Sequence, residues 1–220
     1  MLNIKKFKIM KKAVIAILVL FSLAAAQSLN AQKGFSVSVK GAPQFSWMNN
    51  SDDNDNKSKF GANFGVGTQY NFNDNMGVGL DVLYSLQGRK YDFAGKSYDQ
   101  KNDYIKIPVF FSYNTNPAKK IAFVGKLGPQ LSILTSSKLN GDGFAKTDTK
   151  NRYKDITFGA VAGAGVQFAV ARNLYLNTGL RFDYDFTNAE DQGYPGYVAY
   201  RPKTYNSTLG LELGLKYQLR

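Results

Sequence analysis

Large apolar side chains fall on every second position near the end of the chain: Leu209, Leu211, Leu213, Leu215, Tyr217 and Leu219. Between them sit Gly210, Glu212, Gly214, Lys216, Gln218 and Arg220. Successive side chains of a strand point to opposite faces, so the pattern predicts a strand with one greasy face and one of glycine and charge. An unbroken alternation of this length suits the roughly 9–11 tilted residues that carry a strand across a bilayer.

The same alternation recurs in seven earlier segments, at residues 34–48, 59–72, 76–87, 103–113, 121–134, 156–168 and 174–186. Leu83 breaks the rule by falling on the polar side. The connections run long, short, long, short, long, short, long. The long ones are 49–58, 88–102, 136–153 and 188–203; the short ones are Asn73-Asp74-Asn75, 114–120 and Arg172-Asn173. An up-and-down bacterial barrel has that order of short periplasmic turns and longer outer loops, and an even strand number. A sheet in hydrocarbon must close, because no water satisfies an open edge there. The expected fold is therefore all-β: an eight-stranded antiparallel up-and-down transmembrane β-barrel.

Alternation alone does not say which face is inside, since a soluble ligand-binding barrel has the same period with its greasy face inward. Size decides. The apolar set holds Phe, Tyr, Trp and Leu on nearly every strand, and the opposite set is dominated by Gly, Ser, Asn and Gln. Small residues suit a narrow lumen and bulk suits lipid. Aromatic residues gather at the segment ends as two interfacial girdles. Trp47, Phe60, Tyr84, Tyr184 and Phe186 lie toward the long loops, and Tyr70, Phe72, Tyr113, Phe168 and Tyr217 toward the short turns. Pro43, Pro108 and Pro129 fall within segments. They predict local bulges, because proline gives the ladder no donor.

Composition changes the picture mainly at the N-terminus. Residues 1–31 read as a signal peptide: Lys5, Lys6, Lys8, Lys11 and Lys12 precede the apolar run 13–26, which is followed by small and polar residues. Cleavage is expected after Ala26 or Ala31, leaving a barrel domain over 32–220. The leader holds five of the 28 basic residues and none of the 16 acidic ones, so the mature chain keeps 23 against 16, a net +7. That excess is dispersed, which argues against nucleic-acid binding and tolerates a lipopolysaccharide-rich surface.

Three stretches carry a resemblance: Ile105-Lys106-Ile107-Pro108-Val109, Val124-Gly125-Lys126-Leu127-Gly128-Pro129 and the glycine-alanine segment 159–168. With a leader ending in Asn30-Ala31-Gln32, they resemble the PorT-like outer-membrane β-barrel domain family. The resemblance implies a small eight-stranded barrel in a Gram-negative outer membrane; the named member contributes to protein secretion. Glu212, Gly214, Tyr217 and Leu219 further resemble the C-terminal signal read by the barrel-assembly machinery, although the chain ends in Leu219-Arg220 rather than an aromatic residue.

Candidate chemistry is sparse. Without histidine, the base that outer-membrane barrel enzymes resemble one another in using is missing, so no catalytic residue and no cofactor are expected. The chain also has no cysteine, so no thiolate metal site is expected. Asp52, Asp53 and Asp55 do not continue as a calcium loop, since the required glycine and glutamate are missing downstream. Lys40, Asp81, Lys106, Lys126, Arg181, Asp183, Glu212 and Lys216 are expected in the lumen as a matched charge network, with an ion pathway as the alternative. Tyr194, Pro195, Gly196, Tyr197 and Tyr200 make an aromatic fourth loop, either a contact surface or a cover over the barrel mouth. The expected function is a structural, interaction or envelope and secretion-accessory role with a largely closed lumen, with envelope partners reached through the long loops. A narrow porin-like channel and a soluble ligand-binding barrel are the alternatives.

Overall fold

The computed structural model describes residues 34–49, 56–93, 95–115, 119–141, 143–195, 197 and 202–219. The leader, Asp52, Asp53, Asp55, Gly196 and Tyr200 lie outside these residues.

Eight long strands form the wall: β1 (Gly34–Asn49), β3 (Lys59–Asn71), β4 (Met76–Phe93), β5 (Lys96–Asn114), β6 (Ile121–Gly141), β8 (Ile156–Ala171), β9 (Leu174–Asp185) and β10 (Tyr205–Gln218). Each pairs antiparallel with the next, and β10 pairs with β1 to close the ring. Two short strands decorate it. β2 (Asn56–Lys57) pairs with β4, and β7 (Phe144–Asp148) with β6.

Faces are assigned as the alternation requires. Leu211, Leu213 and Phe182 are 48, 48 and 44% exposed, while Arg181 beside them is 1% exposed. The outward rings also touch one another along the wall, as in Phe45–Phe60 and Phe35–Tyr70. Leu83 points inward with the polar set and is fully buried. At mid-membrane a basic side chain on the outer face costs about 2–4 kcal/mol, so the phase of each strand is fixed by its charges as well as by its leucines.

Short turns fall where expected. Asn73 accepts hydrogen bonds through Oδ1 from the Asn75 and Met76 amides, at 2.9 and 2.7 Å, which locks the β3–β4 turn. Asn173 holds φ at 64° between β8 and β9, a region that asparagine tolerates.

Two of the four long connections are not loops. Residues 88–102 continue the β4–β5 ladder from Gln87↔Asn102 out to Phe93↔Lys96. Residues 136–153 extend β6 to Gly141, return as β7 and end in a 3-10 turn at Lys150–Arg152. Beyond the membrane both faces of a strand meet water, so the greasy alternation stops while the backbone ladder runs on. Gly88 sits at this transition with φ 147°, and a Cβ there would meet the Gln100 carbonyl at 2.0 Å. Only glycine fits.

The prolines do not produce bulges, contrary to expectation. Pro43 pairs in register with Ala62 on β3, while on the β10 side the ladder skips from Gly41↔Leu213 to Gln44↔Gly210 without a shift. Around Pro108 the β4–β5 ladder skips from Leu80↔Val109 to Leu83↔Lys106, and around Pro129 the β5–β6 ladder skips from Pro108↔Gln130 to Phe111↔Leu127. Proline loses one donor toward one neighbour, so the other neighbour holds the register. Shifts occur elsewhere, between Asp103 and Tyr104 and between Ala169 and Ala171.

Inward glycines answer to curvature. Gly165 on β8 faces Gly179 on β9, and a Cβ on either would come within 2.2 or 2.5 Å of the other strand's backbone. The concave face of a small ring has little room for side chains.

Candidate functional site

The lumen is filled at mid-height by charge. Arg181 of β9 is its hub. Nε donates to Asp183 Oδ2 at 3.2 Å, Nη1 to Glu212 at 3.3 Å and Nη2 to Gln130 Oε1 at 3.1 Å. Asp81 lies 3.7 Å from the same guanidinium. Three lysines complete the set. Lys40 reaches both oxygens of Asp81 at 2.8 and 2.9 Å, Lys106 donates to Asp183 at 3.1 Å, and Lys126 meets both oxygens of Glu212 at 2.6 and 2.7 Å. Phe110 points inward among them, with the Lys40 and Lys126 ammonium groups 5.5 and 5.7 Å from its ring centre.

All eight of the expected lumen charges project inward. Asp185 is a ninth, on the inward face by the phase of β9 but outside the expected charge set. It is buried and accepts from Thr157 at 2.9 Å, Asn206 at 3.2 Å and Ser132 at 3.4 Å. The signal was present, since Asp183 and Asp185 share a face of β9 by period two. With Asp185, the anions Asp81, Asp183, Asp185 and Glu212 balance the cations Lys40, Lys106, Lys126 and Arg181. Lys216 stands apart toward the short-turn end, 8% exposed, with its ammonium 5.3 Å from the Tyr175 ring centre. Among the described residues, no carboxylate forms an ion pair with it. Burial in low dielectric demands such matching, because an uncompensated charge costs several kcal/mol, of order 3–5 where one partner is removed.

A second seal lies at the long-loop end. Met48, Tyr104, Leu134, Tyr153 and Ala189 form one buried apolar cluster. Met48 is an inward position at the end of β1, and Tyr104 and Leu134 are inward positions within β5 and β6, whereas Tyr153 and Ala189 arrive from the folded-over connections. Tyr153 and Glu190 are bridged, and the Ala189 amide donates to the Thr204 carbonyl at 2.8 Å. Polar groups at this level are satisfied locally: Gln100 Nε2 donates to Asn102, Ser137 and Thr149 at 2.8–3.0 Å, and Asn206 to the Tyr104 hydroxyl at 3.2 Å. This cluster was not legible in the alternation, because two of its members lie outside any alternating segment.

Between the charge belt and the short turns a cavity of about 60 Å³ remains, lined by Lys40, Gln69, Phe110, Lys126, Asn177 and Glu212 among others. A site that small admits water, not an organic substrate. Among the described residues there is no cluster of three metal-ligating side chains. Of the aromatic fourth loop, Tyr194 and Tyr197 line a recess above the seal, with the Arg152 guanidinium 5.4 Å from the Tyr194 ring centre. Of the C-terminal signal residues, Tyr217 faces outward at 47% exposed and Glu212 faces into the lumen.

Solved structures share this architecture. Neisserial surface protein A is 16% identical, with 84% of this chain and 96% of that one covered at a TM-score of 0.50. A major outer membrane protein from Thermus thermophilus is also 16% identical, with 84 and 99% covered at a TM-score of 0.51. At such identity the likeness is one of fold. No curated protein matches the chain in sequence. Residues 25–191 match the outer membrane protein β-barrel domain family, and with bulk facing outward around a closed ring of eight wall strands the chain belongs to that family.

Proposed function

We propose that this chain is a sealed outer-membrane barrel that acts through its outer face, as a structural or interaction component of the envelope. The observation that carries the reading is the double seal: a charge belt centred on Arg181 and an apolar cluster centred on Tyr104, one above the other in the same lumen. A conducting pore needs a continuous wet path, and here the path is crossed by matched charges and then by side chains excluded from water. The resemblance of segments 105–109, 124–129 and 159–168 to PorT-like barrels supports an accessory role in secretion. The leader and the C-terminal Tyr217 and Leu219 support export and insertion by the barrel-assembly machinery, and the bulky outward face supports lipid and lipopolysaccharide as surroundings.

Planar-bilayer recording on the detergent-purified, heat-modifiable protein tests this. Conductance at the lipid background is the expected result. Sustained openings of uniform size would overturn the sealed reading in favour of a narrow channel, for which the small cavity beside Lys126 is the one supporting observation.

A further inference from the structure

Toward the short turns, the lumen wall carries three inward polar side chains that the charge belt does not use. Lys216 of β10 is 8% exposed, and among the described residues no carboxylate pairs with it. The charge within electrostatic reach of it is that of Lys40, another cation. Its ammonium lies over the ring of Tyr175, the residue opposite it on β9. A tyrosine face offsets part of the desolvation of an ammonium and leaves the net charge unmatched.

Two amides stand beside it. Asn177 of β9 sits directly opposite Gln167 of β8 on one side and Gly214 of β10 on the other. Lys216 is therefore its diagonal neighbour, at a spacing of about 7–8 Å that a lysine spans. Gly214 carries no side chain, so nothing on β10 fills the space between them. In both Asn177 and Gln167 the amide oxygen is sealed from water without a partner. Among the described residues neither NH₂ donates to a protein acceptor, and neither nitrogen is sealed, so both face lumen space. Three donors without a protein acceptor, Lys216 Nζ, Asn177 Nδ2 and Gln167 Nε2, thus share one patch where β8, β9 and β10 adjoin.

Asn177 also lines the cavity of about 60 Å³. A water needs roughly 10–15 Å³ of such space, so the cavity holds a few waters or one small ion with part of its shell. Glu212, a carboxylate in the same wall, is already engaged by Lys126 and Arg181.

We propose that this patch binds one small inorganic anion of chloride size. The ammonium supplies the charge, and the two amides supply donors of fixed direction. The belt balances four anions against four cations without Lys216, so the bound anion matches the charge left over. Ser38, Gln69 and Asn177 face the lumen below the belt and are partly exposed, which gives the anion a path from the short-turn end. That end is the periplasmic one in such a barrel. The site is a blind end beneath the belt, so binding and sealing are separate properties.

The full folded barrel, in a non-ionic detergent, is to be unfolded by urea in sodium chloride and in sodium gluconate at equal ionic strength, gluconate being too large for the cavity. The wild-type midpoint is expected to be higher in chloride and to rise with its concentration, as binding to the folded state requires. Lys216→Met is expected to unfold no earlier than the wild type in gluconate and to gain nothing from chloride. Asn177→Leu keeps the lysine and is expected to weaken chloride about tenfold, as loss of a hydrogen bond to a charged group implies. In wild-type crystals soaked in bromide, an anomalous peak is expected in contact with Lys216 Nζ, a readout that needs no variant to fold. Equal midpoints in the two salts, a chloride shift retained by Lys216→Met, or bromide absent from Lys216 would each overturn the site. A barrel that conducts in bilayers yet keeps its chloride shift would overturn the sealed reading and leave this one standing.

Discussion

At mid-lumen, Arg181 touches two carboxylates and an amide oxygen within 3.3 Å, and nearly every neighbour is itself charged. At the outer mouth, Tyr104 packs among Met48, Leu134, Tyr153 and Ala189, and its hydroxyl accepts from Asn206. Both fill the same tube. The belt depends on the identity of each member, because removing one charge strands another, whereas the apolar seal depends on volume and degrades in proportion to what is removed.

Four changes separate these behaviours. The largest effect is expected for Arg181→Ala, which leaves Asp183 and Glu212 facing the lumen with fewer counter-charges. A loss of about 3–5 kcal/mol is expected, read as a lower denaturant midpoint for the folded, fast-migrating form. If the midpoint is unchanged, the belt is not a matched network. Met48→Ala should cost less, at the low end of about 2–5 kcal/mol, because transfer and cavity terms dominate and no charge is stranded, although the Asn102 amide loses its 3.7 Å contact with the sulfur. A drop equal to that of Arg181→Ala would erase the contrast.

Lys216→Met comes third, with no loss and a modest gain in midpoint expected in chloride-free buffer, since no described carboxylate pairs with this buried lysine and its stem already packs against protein. A large loss would place Lys216 inside the network. The smallest effect concerns the outer hairpin, where Lys57 ties β2 to Asp92 of β4. Hydrogen bonds from Lys57 and Ser97 hold the exposed Asp92 carboxyl below its usual range. The tie is therefore complete above the ordinary carboxylate pKa and is lost as pH falls through the lowered value. Carboxyl chemical shifts followed with pH should show Asp92 titrating below a free aspartate, and Lys57→Ala should move the midpoint most of the way back, the Ser97 hydrogen bond remaining. Titration at the ordinary value in the wild type would remove the tie.

The wall was readable before any coordinates, because a transmembrane strand exposes its physics twice, in period two and in the size difference between its faces. Phe182 and Arg181, neighbours in sequence, could only be separated by lipid and lumen. The lumen charges followed from the same phase. What the alternation does not encode is structure beyond the membrane. Residues 88–102 carry no greasy period, yet they pair residue by residue as Lys90↔Asp99 and Tyr91↔Tyr98. The recess of Arg152 and Tyr194 joins residues far apart in sequence, so no local pattern could reveal it. The proline expectation failed for another reason: it took a missing donor in an edgeless barrel to force a bulge, whereas the ladder on the other side of the strand holds the register.

That ring gives the three prolines a further meaning. Each leaves a gap in one seam, between β1 and β10, β4 and β5, or β5 and β6, and paired residues bound every gap above and below. A sheet with free edges could begin to unzip at such a missing stitch, but a cylinder offers no loose thread to pull. The interruptions stay local, and the seam that joins the first strand to the last can carry one of them.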